Sequence, residues 1–165
     1  MSSSTDGFSR LSSSIDYPMF IVTTADGGTR AGCLVGFVTQ CSIDPPRFLV
    51  CLSKANATFR VAQHAGAMVL HFLGQGDRDL ARLFGEETGD EVDKFSQCRW
   101  EEGPAGLPIL AGCRGWLAAS ILDRWDCGDH VAHLVEPFDD LAIRPDEAQL
   151  SFQEVRDLEP GHPAD

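Results

Sequence analysis

What the chain has little of narrows the field first. No apolar run approaches the roughly 20 residues that a membrane-spanning helix needs. The opening Met1-Ser2-Ser3-Ser4-Thr5-Asp6-Gly7 carries neither the basic nor the apolar region of a secretory signal. These absences predict a cytoplasmic protein without membrane partners, whose residues 1–14 form a disordered tail. Positive charge is also scarce: 13 Lys and Arg stand against 25 Asp and Glu, for a net charge of −12. So acidic a surface repels phosphate backbones and anionic lipids, which argues against nucleic acid as a partner. The imbalance is uneven. Up to Gln75 there are 5 cations and 4 acids, and from Gly76 onward 8 and 21. An anionic ligand is therefore expected on the front half.

Several chemical signatures are missing as well. The chain has no G-x-S-x-G, no G-x-G-x-x-G and no G-x-x-x-x-G-K-[ST], so hydrolase and P-loop readings fall away. None of Cys33, Cys41, Cys51, Cys98, Cys113 and Cys127 forms a C-x-x-C pair, and most sit in apolar runs. They read as small buried hydrophobes, not as a metal or disulfide framework.

What is present is a globular composition. Of 165 residues 43% are hydrophobic, enough for one domain with its own core. Residues 17–24 read as a strand ending at the turn Asp26-Gly27-Gly28. Residues 30–43 are apolar on both alternating faces, as in one long strand buried on both sides. Asp44-Pro45-Pro46 breaks it, and residues 47–52 form the return strand. A helix follows and stops at Gly66, then a strand over 67–73, then a helix capped by Asp77 and ended by Gly85. Residues 86–93 are an acidic loop. Two further strands, 115–125 and 130–135, meet at Cys127-Gly128-Asp129. Six or seven hairpin-linked strands with two or three short helices predict a mainly β fold: an antiparallel β-barrel, closed or partly closed, with short inserted helices. A doubly wound sheet would alternate strands and helices regularly. The barrel domain is expected over 15–137. The acidic segment 138–165 would pack on it or trail from it, ending in a surface tail.

Three places could carry chemistry. Ser53-Lys54-Ala55-Asn56-Ala57-Thr58-Phe59-Arg60 joins a buried strand to a helix, where unpaired N–H groups and the dipole favour a phosphate. An ordinary helix cap with solvated basic side chains would look the same. In Gly128-Asp129-His130-Val131-Ala132-His133 the two histidines are three apart, which on a strand sends them to opposite faces and disfavours a shared metal. His130, after the turn, can be a ligand contact, a proton donor or a structural histidine. Asp93-Lys94-Phe95 closes the acidic loop and is otherwise a solvated charge.

Taken in order, these pieces resemble the flavin reductase-like family of FMN-binding split β-barrels. The carriers are Ile21-Val22-Thr23-Thr24-Ala25-Asp26-Gly27, Ala31-Gly32-Cys33, Thr39-Gln40-Cys41-Ser42-Ile43-Asp44-Pro45-Pro46, Val50-Cys51-Leu52-Ser53 with Asn56-Ala57-Thr58, Asp93-Lys94-Phe95 and Gly128-Asp129-His130. The resemblance implies a homodimer that passes hydride from NADH or NADPH to FMN or FAD and supplies reduced flavin to a partner monooxygenase. By position, Cys33, Leu34, Val35, Thr39, Gln40, Cys41 and Ser42 would line the isoalloxazine and ribityl chain. Ser53, Lys54, Asn56 and Thr58 would meet the phosphate, and His130 would be the catalytic contact. The resemblance also brings His71, standing where relatives often have Asn, and Lys94 and Phe95 to the cofactor. Leu34, Val35 and Phe37 replace small polar residues of many relatives. Related barrels use the deazaflavin F420 or oxidise pyridoxamine phosphate, and a non-catalytic flavin-binding module is the alternative from another class.

Overall fold

A computed structural model describes residues 4–86 and 93–158. Its centre is one antiparallel sheet of seven strands, in the order β2-β1-β5-β8-β9-β4-β3. The strands are β1 (Phe20–Asp26), β2 (Thr29–Val35), β3 (Val38–Ser42), β4 (Arg47–Ser53), β5 (Ala67–Phe72), β8 (Gly115–Asp126) and β9 (His130–Ala142). A separate hairpin pairs β6 (Trp100–Glu102) with β7 (Pro108–Leu110). The mainly β, antiparallel split-barrel reading is what the chain adopts.

The long apolar stretch over 30–43 is two strands, not one. β2 and β3 are consecutive in the chain yet lie at opposite ends of the sheet order, so the sheet curls until Gly36-Phe37 links its two edges. Gly36 is required there: a Cβ would sit 2.3 Å from Cε2 of Tyr17, whose ring covers the link. Cys51 N–H donates to the Phe37 carbonyl at 2.9 Å and fastens the link to β4.

β1 and β5 are buried on both faces, which is why they are mainly apolar and β-branched, and their buried polar side chains Thr23, Thr24 and His71 each find a carbonyl partner. Phe20, Val22, Met68 and Leu70 point into the barrel beside Val35, Val50, Leu52 and Val135. Met19, Ile21 and Leu73 point outward, under an outer layer that includes Phe84, Phe95, Leu110 and Leu150. That layer is completed by α3 (Arg78–Glu86), whose Ala81 and Phe84 are its buried residues.

Several expected boundaries move. α1 (Ser4–Ser12) is a helix where a disordered tail was expected; Asp6 in its first turn and Arg10 in its last complement the helix dipole. α2 (Ala57–Ala62) ends at Gln63 rather than at Gly66. Its last carbonyls, those of Ala62 and of Ala65 just beyond, accept from the Arg124 guanidinium at 2.9 and 2.7 Å. β9 runs through residue 137 to Ala142, so the barrel does not end there. Pro137 is tolerated because it lies opposite Ala119, next to the register shift between Ala118 and Ala119.

The acidic C-terminal segment packs on the barrel. Met19 N–H donates to the Leu150 carbonyl at 2.9 Å, and Leu150 N–H to the Leu73 carbonyl at 3.0 Å. Leu150 and Val155 are buried in the outer core, the latter on α4 (Phe152–Val155). Most of the acidic loop 86–93 and the tail from 159 lie outside the described residues.

Candidate functional site

Three stretches far apart in sequence wall a cavity of about 310 Å3. This is the small end of the roughly 300–1,000 Å3 typical of small-molecule sites. The end of β2 gives Cys33, Leu34 and Val35, continued by Gly36 and Phe37; the end of β4 gives Cys51, Leu52 and Ser53, with Asn56 beyond. The third wall is α4 and the residues after it, with Phe152, Val155, Arg156 and Leu158. Tyr17 stacks on Phe152, centroids 4.8 Å apart and planes within 17°, and so ties the C-terminal wall to the β1 entry.

The rim carries an aromatic pair. The His130 ring lies 5.1 Å from that of Phe37, with 48° between the planes. His130 faces Ser53 across the β4–β9 ladder, and its Nδ1 lies 2.7 Å from Oδ1 of the exposed Asp129. The imidazole holds the Asp129 carboxyl below the ordinary aspartate range. Asp129 in turn fixes the strand-to-helix corner, since its carbonyl accepts from Lys54 N–H at 2.9 Å. At that corner the Ser53 hydroxyl accepts from Ala55 N–H at 3.2 Å, and the Asn56 side chain caps α2 by accepting from Thr58 N–H at 2.9 Å. Two of the N–H groups expected to be open for an anion are thus capped internally.

β2 pairs only with β1, which makes it an edge of the sheet. The Gly32 carbonyl faces away from β1, because it accepts from Lys94 Nζ at 3.0 Å. Alternation turns the N–H and C=O of Leu34 the same way, off the ladder and beside the cavity. Burial pushes the Cys51 thiol up from its ordinary value, so it stays protonated near neutral pH and is a poor nucleophile. Largely apolar walls, a backbone edge, one imidazole and a few polar side chains suit holding a flat ring in register with a second reactant. They do not suit hydrolysis.

Of the residues singled out by sequence, Cys33, Leu34, Val35, Ser53, Asn56 and His130 come together in this cavity. Thr39 and Gln40 lie next door, in a shallow cleft that shares Tyr17, Gly36, Phe37 and Cys51 with it. Cys41 is the exposed residue of a β3 bulge, and Ser42 ends the strand beyond it, so neither lines the cavity. Lys54 is held at the surface by Asp126, Nζ to Oδ2 2.7 Å. Thr58 is buried behind the corner, its hydroxyl without a partner.

Three expected cofactor contacts are placed elsewhere. His71 is fully buried in the outer face of the sheet; its Nδ1 donates to the Ile21 carbonyl at 3.0 Å and its Nε2 accepts from Leu110 N–H at 3.0 Å. With both ring nitrogens used, it joins β7 to β1 and β5. Lys94 is buried too, donating to the Gly32 carbonyl and to that of Phe84 at 3.1 Å, so it pins α3 to β2. Phe95 packs edge-on between Phe84 and Trp100. Tyr17, Phe152 and Arg156 escaped the sequence reading, because the C-terminal segment returns through long-range contacts, the backbone bridges Pro18–Ser151 and Gly74–Gln149 among them, that leave no local motif.

A family model described as flavin reductase like domain matches residues 12–153. A probable flavin reductase of Rhizobium meliloti (strain 1021) is 31% identical over 114 residues, 67% of this chain and 36% of that protein. The FMN reductase (NADH) RutF of Pseudomonas syringae pv. syringae is 28% identical over 110 residues, 67% of this chain and 61% of its own length. The 4-hydroxyphenylacetate 3-monooxygenase reductase component of Salmonella typhimurium is 32% identical over 116 residues, 70% and 68% of the two chains. The chain thus spans less than two thirds of the length of the first two. Among solved structures, a flavin reductase domain protein from Arthrobacter sp. FB24 superposes with a TM-score of 0.83 over 91% of each chain at 23% identity, a likeness of fold.

Proposed function

The chain belongs to the flavin reductase-like family, and on that premise we propose that it is an NAD(P)H:flavin oxidoreductase, binding FMN or FAD in the cavity between β2, β4 and α4. The observation that carries this is the cavity's make-up: largely apolar walls, the outer backbone edge of β2 at Leu34, which has no strand partner on that side among the described residues, and His130 beside Phe37 at the rim. These residues fit a flavin ring. Cys33, Leu34 and Val35 would hold its faces and polar edge, and Ser53 and Asn56 its side chain. Bound there, the flavin supplies the hydride-accepting chemistry.

The chain's own work is positional. The apolar walls exclude water, and the Phe37–His130 pair gives a nicotinamide ring a surface to lie against. Alignment of two reactants in this way lowers the entropic barrier and needs no strong acid. His130, kept in place by Asp129, orients whichever ring reaches the rim. Delivery of reduced flavin to a partner monooxygenase is supported by relatives described as monooxygenase reductase components. A homodimeric state, carried over from the family resemblance, and a cytoplasmic location are part of the same proposal. No helix among the described residues is long and apolar enough to cross a membrane.

The test is an absorption spectrum of the purified protein, followed by titration with FMN and FAD and by NADH and NADPH oxidation with each flavin. Saturable flavin uptake with nicotinamide consumption supports the reading. Binding without turnover would favour a flavin-carrying module, and the absence of both binding and turnover refutes the proposal.

A further inference from the structure

Arg156 brings a cation to this cavity from beyond the stretch that the family model matches, which ends at residue 153. Among the described residues lining the cavity it alone carries a permanent charge. Neighbouring charges are already committed. Asp157 is paired with Arg78, Nη2 to Oδ2 2.6 Å, and the Glu154 carboxylate accepts from Gln75 at 2.9 Å and from Ser151 N–H at 3.1 Å. Lys54, the cation expected from sequence, is held by Asp126.

Arg156 differs from all of these. Its Nη1 donates to the neutral Gln153 Oε1 at 2.8 Å, and among the described residues no carboxylate pairs with it. Gln153 is itself fixed, its N–H donating to Asp16 Oδ1 at 2.9 Å and its Nε2 to the Ser13 and Ile15 carbonyls at 3.0 Å. A neutral, anchored partner orients the guanidinium without cancelling its charge, and the rest of its planar donor fork stays open. Such a fork matches a phosphate in geometry as well as charge.

We propose that Arg156 receives the phosphate of a nucleotide bound in the cavity, and so sets the preference for phosphorylated over unphosphorylated ligand. This rests on the flavin reductase reading above. Flavin mononucleotide and the nicotinamide nucleotide both carry phosphate, so the experiment separates them. In the full chain, Arg156→Gln, Arg156→Lys and Lys54→Ala are compared with wild type for the Kd of FMN and riboflavin and the KM of NADH and NADPH. If the flavin phosphate is the ligand, Arg156→Gln weakens FMN about tenfold and riboflavin less than twofold. If the nicotinamide nucleotide is, its KM rises about tenfold with both flavin constants unchanged. In either case Arg156→Lys keeps part of the preference, and Lys54→Ala has the smaller effect. Equal loss of FMN and riboflavin with KM unchanged, or no change in any of the four constants, overturns the assignment alone. A wild-type protein that neither binds flavin nor consumes nicotinamide overturns the functional reading, and this assignment with it.

Discussion

Acidification should destabilise this fold through one buried imidazole. His71 is fully buried, and desolvation lowers its pKa from 6.5 to about 4, only partly opposed by its bond to the Ile21 carbonyl. The unfolded chain therefore takes up a proton first as pH falls, and stability drops across the window from about 6.5 to about 4. With about 1.36 kcal/mol per pKa unit, one such site costs about 2 kcal/mol by pH 5 and about 3 kcal/mol by pH 4. Above pH 7 the contribution is complete and flat. His71→Gln removes the titration, while its amide can still donate to Ile21 and accept from Leu110. Urea unfolding of both proteins at pH 7.5, 6.5, 5.5 and 5.0 isolates the term, since every other ionisable group is common to the pair. The wild type should lose about 2 kcal/mol more than the variant between pH 7.5 and 5.0. Parallel losses would refute the argument, and would mean that the ring is solvated or already charged in the folded state.

Other substitutions probe the framework and the rim. Lys94→Met keeps the aliphatic stem but deprives the Gly32 and Phe84 carbonyls of their donor; denaturant unfolding should show a loss of about 2 kcal/mol. Gly36→Ala drives a Cβ into the Tyr17 ring, and should cost about 1–3 kcal/mol and loosen flavin binding through the Tyr17–Phe152 stack, read by titration with FMN. His130→Ala should lower flavin-dependent nicotinamide oxidation, while the lost Phe37 contact and Asp129 bond cost about 0.5–1.5 kcal/mol of stability and leave the protein folded. Unchanged turnover would return His130 to a structural role.

What could be read from sequence divides along a physical line. The strands were legible because burial on both faces gives β1 and β5 mainly apolar and β-branched side chains, and because Asp26-Gly27-Gly28 and Asp44-Pro45-Pro46 allow only a turn. The front wall of the cavity, Cys33 to Val35 with Ser53 and Asn56, was legible through motif order. His71 and Lys94 were misplaced for a common reason. A polar group inside an apolar stretch signals that it has partners, but the partners are carbonyls and N–H groups of other strands, fixed by registers such as Ile21 opposite His71. The C-terminal wall stayed invisible because the backbone bridges and side-chain contacts that bring it home join it to residues more than 70 positions away. The split of residues 30–43 turns on a single glycine whose role depends on where the Tyr17 ring falls.

That link at Gly36 has a further consequence. Edge strand β2 and β4, next to the other edge strand β3, are not laced to each other by a continuous ladder where the cavity opens; they approach there with a short connection and the C-terminal helix across the gap. A ligand seated in the opening touches both of these strands at once and acts as mortar in a seam. By mass action, occupancy at 100 times Kd stabilises the folded chain by about 2.7 kcal/mol. The same opening is where an unliganded barrel should first come apart, so proteases and hydrogen exchange should attack the unfilled protein along this seam and spare the filled one.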